Sequence, residues 1–136
     1  MSAASRTATQ DPVKLSPQYY VVRFENDRVR VLEFHLKPGE KEAMHSHPPG
    51  VVYMLADATI RNTHPDGTSL EVSRKAGDVL WREDTTHTGE NVGSTEAHAI
   101  AIELKPCTRQ VWRASYRFLR MTGGQNSRPE EKAWTT

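Results

Sequence analysis

Cysteine is nearly absent from this sequence, and long apolar runs are absent altogether. The single Cys107 has no second thiol for an internal disulfide, which fits a reducing compartment. No apolar run approaches the roughly 20 residues that a membrane-spanning helix needs. Residues 1–10 also lack the apolar core of a secretory signal. We therefore expect a cytoplasmic protein that does not contact a membrane.

A strong excess of one charge sign is also absent. The 18 Lys and Arg nearly balance 17 Asp and Glu, for a net charge of +1, which argues against a nucleic-acid-binding protein. The charge is uneven, however: residues 1–104 carry 11 basic and 15 acidic side chains, and residues 105–136 carry 7 and 2. We expect a flexible segment at residues 1–18, one domain at 19–106 and a basic extension at 107–136.

The extension has two competing secondary-structure predictions. Its arginines (Arg109, Arg113, Arg117 and Arg120) are spaced so that they would line one face of a helix. A strand over residues 111–119 fits nearly as well. The arginine stripe could be a solvated face, or it could dock on the acidic main body.

Short β-branched and aromatic stretches, separated by turn residues, dominate the middle of the chain. Eight strands are predicted, at residues 19–24, 29–36, 51–56, 59–63, 70–73, 79–82, 87–92 and 97–104. No helix is expected before Pro106. In the last strand, His98, Ile100 and Ile102 share a face, and we expect that face to point to the core. This pattern is typical of an all-β sandwich or small barrel.

Three histidines have a spacing that is compatible with binding one metal ion. One residue separates His45 from His47, so in an extended backbone both side chains leave the same face. His87 follows forty residues after His47, near a predicted turn and strand. Two histidines on one strand and a distant third can form three corners of a metal site.

These histidines lie in two motifs that resemble those of the RmlC-like cupin superfamily. Gly39, five residues and His45-Ser46-His47 match the start of the first cupin motif, which continues with a glutamate. His87 and Asn91 end the second motif at the family's spacing, after its opening Gly77. Glu83 and Thr85 replace the expected Pro and Gly, and the loop is one residue short. The resemblance implies a single-domain cupin jelly roll, that is, a double-stranded β-helix barrel.

The chain departs from the family at the motif glutamate, which is a metal ligand in most cupins. Its position falls on Gly50 or Val51, and neither can bind a metal through its side chain. If Gly50 is the register, Val52 and Met54 face the metal; otherwise Tyr53 and Leu55 do. The predicted site thus has three histidines and no carboxylate, unless Glu42 or Glu90 swings in as a replacement.

The resemblance implies a small-molecule function for such a site. A three-histidine cupin is similar to dioxygenases that use non-haem Fe(II) on chelating diketone-, thiol- or catechol-like substrates, although Zn, Ni, Mn or Cu would also suit imidazole ligands. The alternatives are a Zn- or Mn-dependent isomerase, lyase or hydrolase, and a ligand-binding cupin without turnover. The missing glutamate favours the oxygenase, because proton transfer would want a carboxylate close to the metal. Family resemblance also implies a homodimer.

Side chains behind the ligands would have to orient the imidazoles. The candidates for this supporting role are Tyr53, Trp81, Arg82, Glu90 and His98. Arg82 could instead pair with a substrate carboxylate or lie on the outer face. For His98, a core histidine that is satisfied by a neighbour is the plainer interpretation.

Overall fold

The computed structural model describes residues 10–106, which form nine strands and one short helix. In chain order these are α1 (Pro12–Leu15), β1 (Tyr20–Glu25), β2 (Val29–Leu36), β3 (His45–His47), β4 (Gly50–Met54), β5 (Ala58–Thr63), β6 (Ser69–Arg74), β7 (Val79–Arg82), β8 (Thr85–Asn91) and β9 (Ala97–Leu104). Within this range, no helix is long and apolar enough to cross a membrane.

The strands form two antiparallel sheets. Five strands pair in the order β1-β2-β9-β4-β7, and four pair in the order β3-β8-β5-β6. Buried side chains from β2 and β4, among them Leu32, Leu36 and Met54, form the core on the inner face of the first sheet. The prediction of an all-β fold is confirmed.

All eight predicted strands are present, and β2, β7 and β9 have the predicted bounds. Two features differ. β3 has only three residues, too few to show an alternating pattern, and was not predicted as a separate strand. The expectation of no helix before Pro106 is wrong, because Asp11 caps a helical turn by accepting a hydrogen bond from the Val13 N–H.

Several predictions fall on residues 1–9 and 107–136, which lie outside the described residues. These are the flexibility of the first nine residues, the helix or strand in the basic extension, its arginine stripe and Cys107. Residues 10–18 are described, and Pro12 and Ser16 are buried there. The domain division remains a prediction.

The inner face of β9 is opposite to the one expected. Ala97, Ala99 and Ala101 are buried, followed by Glu103, whereas Ile100 and its outward neighbours are only partly covered. Hydrophobicity predicted the isoleucine face to be the core face. The alanines face inwards because small side chains leave room for a cavity between the sheets.

The register of β4 is the one that places Gly50 on the inner face. Val52 and Met54 line the interior, while Tyr53 and Leu55 are exposed. This settles which side chains of β4 face the candidate site.

Candidate metal centre

Strand pairing brings the two motifs together. In the antiparallel β3–β8 ladder, His45 lies directly opposite His87, and His47 leaves β3 on the same face as His45. One ring nitrogen from each histidine lies within 4.8 Å of the other two. The predicted meeting of His45, His47 and His87 is therefore confirmed, and the three form a candidate metal centre.

Hydrogen bonds fix which nitrogen of two rings can present a lone pair to a metal. Nδ1 of His45 lies 2.7 Å from the carbonyl oxygen of Ala43, and Nδ1 of His47 lies 2.7 Å from Oε1 of Glu103. A carbonyl or carboxylate oxygen only accepts here, so both Nδ1 atoms carry the ring proton. Both Nε2 atoms then present lone pairs, and they lie 2.8 Å apart. Lone pairs at that separation repel each other unless a cation, either a proton or a metal ion, lies between the rings.

The third histidine also suits a metal. Nε2 of His87 is buried, and residues 10–106 offer it no hydrogen-bond partner. Burial lowers the pKa of His87 to about 2, and the neighbouring His47 and His45 add to that effect. Burial also lowers the pKa of His45. Three imidazoles with converging ring nitrogens are a donor set that suits a divalent transition-metal ion, so these residues fit such an ion.

A chain of three charged side chains, of which Glu103 is buried and Arg30 and Asp11 are partly buried, supports His47 on the side away from the cluster. Arg30 donates from Nε and Nη2 to Oε2 of Glu103, at 3.0 and 2.8 Å. Its Nη1 reaches both carboxylate oxygens of Asp11, at 3.1 and 3.0 Å. Glu103 is thus held on one side while its other oxygen accepts the proton of His47. A carboxylate in this position orients the imidazole and raises its basicity.

A second buried carboxylate, that of Glu42, lies beside the cluster, at one of the two positions considered for a replacement ligand. Oε1 of Glu42 is 3.8 Å from Nε2 of His45, and it accepts a hydrogen bond from the Tyr20 hydroxyl. Burial raises the pKa of Glu42 to about 7. Burial and the adjacent Glu42 also raise the pKa of Tyr20 well above its usual range, so the phenol keeps its proton. Glu42 is close to the histidines but is not one of the three mutually close donors.

The remaining candidates lie in different places. Arg82 is at the site, with Nη2 3.6 Å from Oε1 of Glu103. Trp81 contributes to the cavity rim, but it is 54% exposed and donates its indole N–H to Glu83. The other three do not lie at the site. Tyr53 is exposed, Glu90 pairs with Arg61 at 3.2 Å, and His98 lies on the outer face of the first sheet.

A cavity of about 430 Å³ opens beside His47 and His87. Its walls are mostly apolar, with Phe34, Val52 and Ile60 among the lining residues. Arg74 and Arg82 also line it. A concave, mostly apolar space with a few polar groups is the usual form of a small-molecule site.

This arrangement of strands has counterparts among solved structures. A cupin domain from Bordetella pertussis Tohama I is 28% identical to the chain, with a TM-score of 0.59, and the match covers 64% of this chain and 92% of that one. The chain has the cupin fold. No protein-family model matches the sequence, and no curated protein matches it either.

Two more distant structures agree on the fold alone. A protein with a double-stranded β-helix domain from Klebsiella pneumoniae is 18% identical, with a TM-score of 0.51 over 76% of this chain and 90% of that one. A protein from Bacillus halodurans is 14% identical, with a TM-score of 0.52 over 77% and 83%.

The structure explains why this chain has no glutamate at the motif position. A Cβ atom on Gly50 would lie 2.1 Å from the carbonyl oxygen of Ile102, so β4 and β9 leave no room there for any side chain. On β8, the lack of a side chain at Gly89 leaves space that the Glu42 carboxylate occupies. A Cβ atom on Gly89 would lie 2.4 Å from Oε2 of Glu42. One glycine thus excludes a carboxylate at the motif position, and another makes room for a carboxylate from a different segment.

Of the residues around the histidines, the sequence pointed to Arg82 and Glu42 but not to Glu103 or Tyr20. Glu103 is the one inward-facing acid of β9, but the strand was assigned the opposite inner face. Glu42 was weighed as a replacement carboxylate because it precedes His45 by three residues. Its partner Tyr20 gave no signal, since only the folded β1 brings that ring to the site.

Proposed function

We propose that this cupin binds Fe(II) through His45, His47 and His87 and oxidises a small chelating substrate with dioxygen. The observation that supports it best is the convergence of one ring nitrogen from each histidine. Nδ1 hydrogen bonds fix the Nε2 lone pairs of His45 and His47, and Nε2 of His87 is buried without a partner among the described residues. When bound, the iron would supply the redox chemistry with dioxygen and the positive charge that holds a chelating group. Three protein ligands leave coordination positions open for the reactants.

The cavity supports a particular kind of substrate. Its apolar walls, which include Phe34, Val52, Met54 and Ile60, suit a compact apolar body. A metal ion held at His47 and His87, which line the same cavity, would suit two adjacent donor atoms on that body. A β-diketone, a small thiol or a catechol has this division between a chelating end and an apolar end.

The chain's own residues would hold and orient the reacting groups. Glu103 keeps the proton of His47 on Nδ1, so Nε2 stays available to the metal. Tyr20 donates to Glu42, which places an exchangeable proton next to the histidine cluster. The apolar walls exclude water, and this strengthens polar interactions inside the cavity.

A Zn- or Mn-dependent isomerase, lyase or hydrolase is the second candidate, and Glu42 is the observation that favours it. A reaction that moves a proton on a substrate needs an acid or base within reach of that substrate. The Glu42 carboxylate is buried, lines the cavity and lies 3.8 Å from Nε2 of His45. Glu42 therefore supplies a carboxylate close to the candidate metal centre. The lack of such a carboxylate in the sequence motif was the argument against a non-oxidative enzyme.

One comparison separates the two candidates. Metal-free protein is loaded anaerobically with Fe(II), Zn(II) or Mn(II), and each form is assayed with a β-diketone, a small thiol and a catechol. The oxygenase proposal predicts oxygen uptake that needs both iron and substrate, disappears in His87→Gln and survives in Glu42→Gln. Turnover without oxygen in the Zn or Mn form, lost in Glu42→Gln, would replace it with the second candidate. A copurifying small molecule that no metal form converts would contradict both.

A further inference from the structure

A second group of metal-binding side chains lies on the outer face of the five-stranded sheet. The β2–β9 ladder places His35 directly opposite His98, and their rings stack with centroids 4.0 Å apart. Glu33 precedes His35 by two residues and therefore leaves β2 on the same side. This outer triad, Glu33, His35 and His98, points away from the inner histidines, because Leu32, Leu36 and Ala99 on the same two strands face the core.

The three donors are close enough to share one ion. Oε1 of Glu33 lies 2.7 Å from Nε2 of His98 and 3.2 Å from Nε2 of His35. All three ligand atoms lie within 4.8 Å of one another. Ligands that bind Zn²⁺ tetrahedrally at about 2.0–2.2 Å are themselves about 3.3 Å apart, so only small side-chain shifts are needed.

Neighbouring charges hold two members of the triad in place. Arg23 binds Oε2 of Glu33 and leaves Oε1 turned toward the two rings. Oε1 of Glu96 lies 3.4 Å from Nδ1 of His35. A proton on that Nδ1 leaves the Nε2 lone pair for a metal, the arrangement in which an outer carboxylate supports a metal-bound histidine.

We propose that Glu33, His35 and His98 form a second, solvent-accessible site for a divalent ion of the Zn²⁺ type. Two imidazoles and one carboxylate are a donor set that such ions favour over Mg²⁺ or Ca²⁺. To bind the ion through Nε2, each histidine must carry its ring proton on Nδ1. A neutral ring reaches that state by changing tautomer, without losing a proton overall. The ion would cross-link β2 and β9, the strands that also carry Arg30 and Glu103.

Zn²⁺ titration of the full chain tests the proposal, with a chromophoric chelator reporting the metal bound. Wild type should take up two equivalents, and His98→Gln or His35→Gln should weaken one of them by at least about tenfold, since each removes one of three ligands. His87→Gln should lose the other equivalent. His64→Gln is the matched control, because His64 belongs to neither triad, and it should keep both.

A second measurement separates the outer triad from the inner one. In His87→Gln, added Zn²⁺ should still raise the thermal midpoint and shift the ring-proton resonances of His35 and His98. Adding His98→Gln to that variant should abolish both effects. Unchanged zinc stoichiometry in His98→Gln and His35→Gln, or zinc uptake that leaves these resonances unmoved, would overturn the proposal.

Discussion

Nδ1 of His47 and Oε1 of Glu103 lie 2.7 Å apart, with both side chains almost wholly buried. This hydrogen bond connects β3 of one sheet to β9 of the other. It sets the tautomer of His47 and thereby directs its Nε2 at the other two histidines. The metal affinity of the centre at His45, His47 and His87, the inner site, therefore depends on Glu103, an acid that belongs to neither cupin motif.

Replacing Glu103 should weaken metal binding without removing a ligand. We expect Glu103→Gln to lower the affinity for Co²⁺ or Zn²⁺ at the inner site by about 10- to 100-fold, the usual effect of losing such a supporting carboxylate. Competition with a chromophoric chelator measures it. Glu83→Gln is the control, since Glu83 pairs with the exposed Trp81. Equal affinity in the Glu103 and Glu83 variants would show that the hydrogen bond has no part in binding.

Restoring the family glutamate should fail at Gly50. Even Gly50→Ala would place a Cβ atom 2.1 Å from a backbone oxygen of β9, so the strands would have to separate. We expect Gly50→Glu to lower the free energy of unfolding by about 1–3 kcal/mol or more, as overpacking does. Val51→Glu, on the outward face, is the matched control and should cost about 1 kcal/mol or less. Urea denaturation measures both, and a Gly50→Glu protein as stable as wild type would contradict the assigned register.

Asn91 has a structural role that accounts for its place in the second motif. Its buried Nδ2 donates to the carbonyls of Leu36 and Thr95, both at 2.8 Å, and its Oδ1 accepts from the Gly93 N–H. Asn91→Ala leaves these backbone groups without their partner, and each buried unsatisfied group costs about 1–3 kcal/mol. We expect a loss of at least about 2 kcal/mol in urea denaturation. Asn62→Ala, at the cavity wall, should cost clearly less, and equal losses would assign Asn91 no special role.

The metal-free protein should show two opposing pH effects. The folded pKa of His87 is far below its unfolded value of 6.5, so the unfolded state binds more protons and stability falls as the pH drops below 6.5. The folded pKa of Glu42 is raised from 4.5 to about 7, so its contribution falls as the pH rises through that range.

Single substitutions should separate these effects between pH 5 and 7. Relative to metal-free wild type, Glu42→Gln should lose stability more steeply as the pH falls, because the opposing carboxyl is gone. His87→Gln should lose it less steeply. Unfolding midpoints across this range provide the measurement. Parallel pH profiles for all three proteins would show that neither side chain has the shifted pKa described above.

The sequence predicted most of the scaffold because strand periodicity and turn residues are local signals. It predicted the three histidines because their spacing belongs to a motif and β3–β8 pairing is regular. It assigned β9 the opposite inner face because hydrophobicity favours isoleucine over alanine, whereas a cavity wall needs small side chains. Glu42 reaches the site only through the space at Gly89 and the hydroxyl of Tyr20, two contacts that no local pattern reveals.

Metal retention tests the central claim most directly. Full-length protein is loaded anaerobically with Co²⁺, passed through a desalting column and measured for cobalt per chain, alongside His87→Gln and His64→Gln. The centre at His45, His47 and His87 predicts that wild type and His64→Gln each hold one more tightly bound ion, with a Co²⁺–imidazole spectrum, than a His87→Gln protein with unchanged circular dichroism. Cobalt that is held equally by His87→Gln, or by none of the three proteins, would contradict a metal centre at His45, His47 and His87.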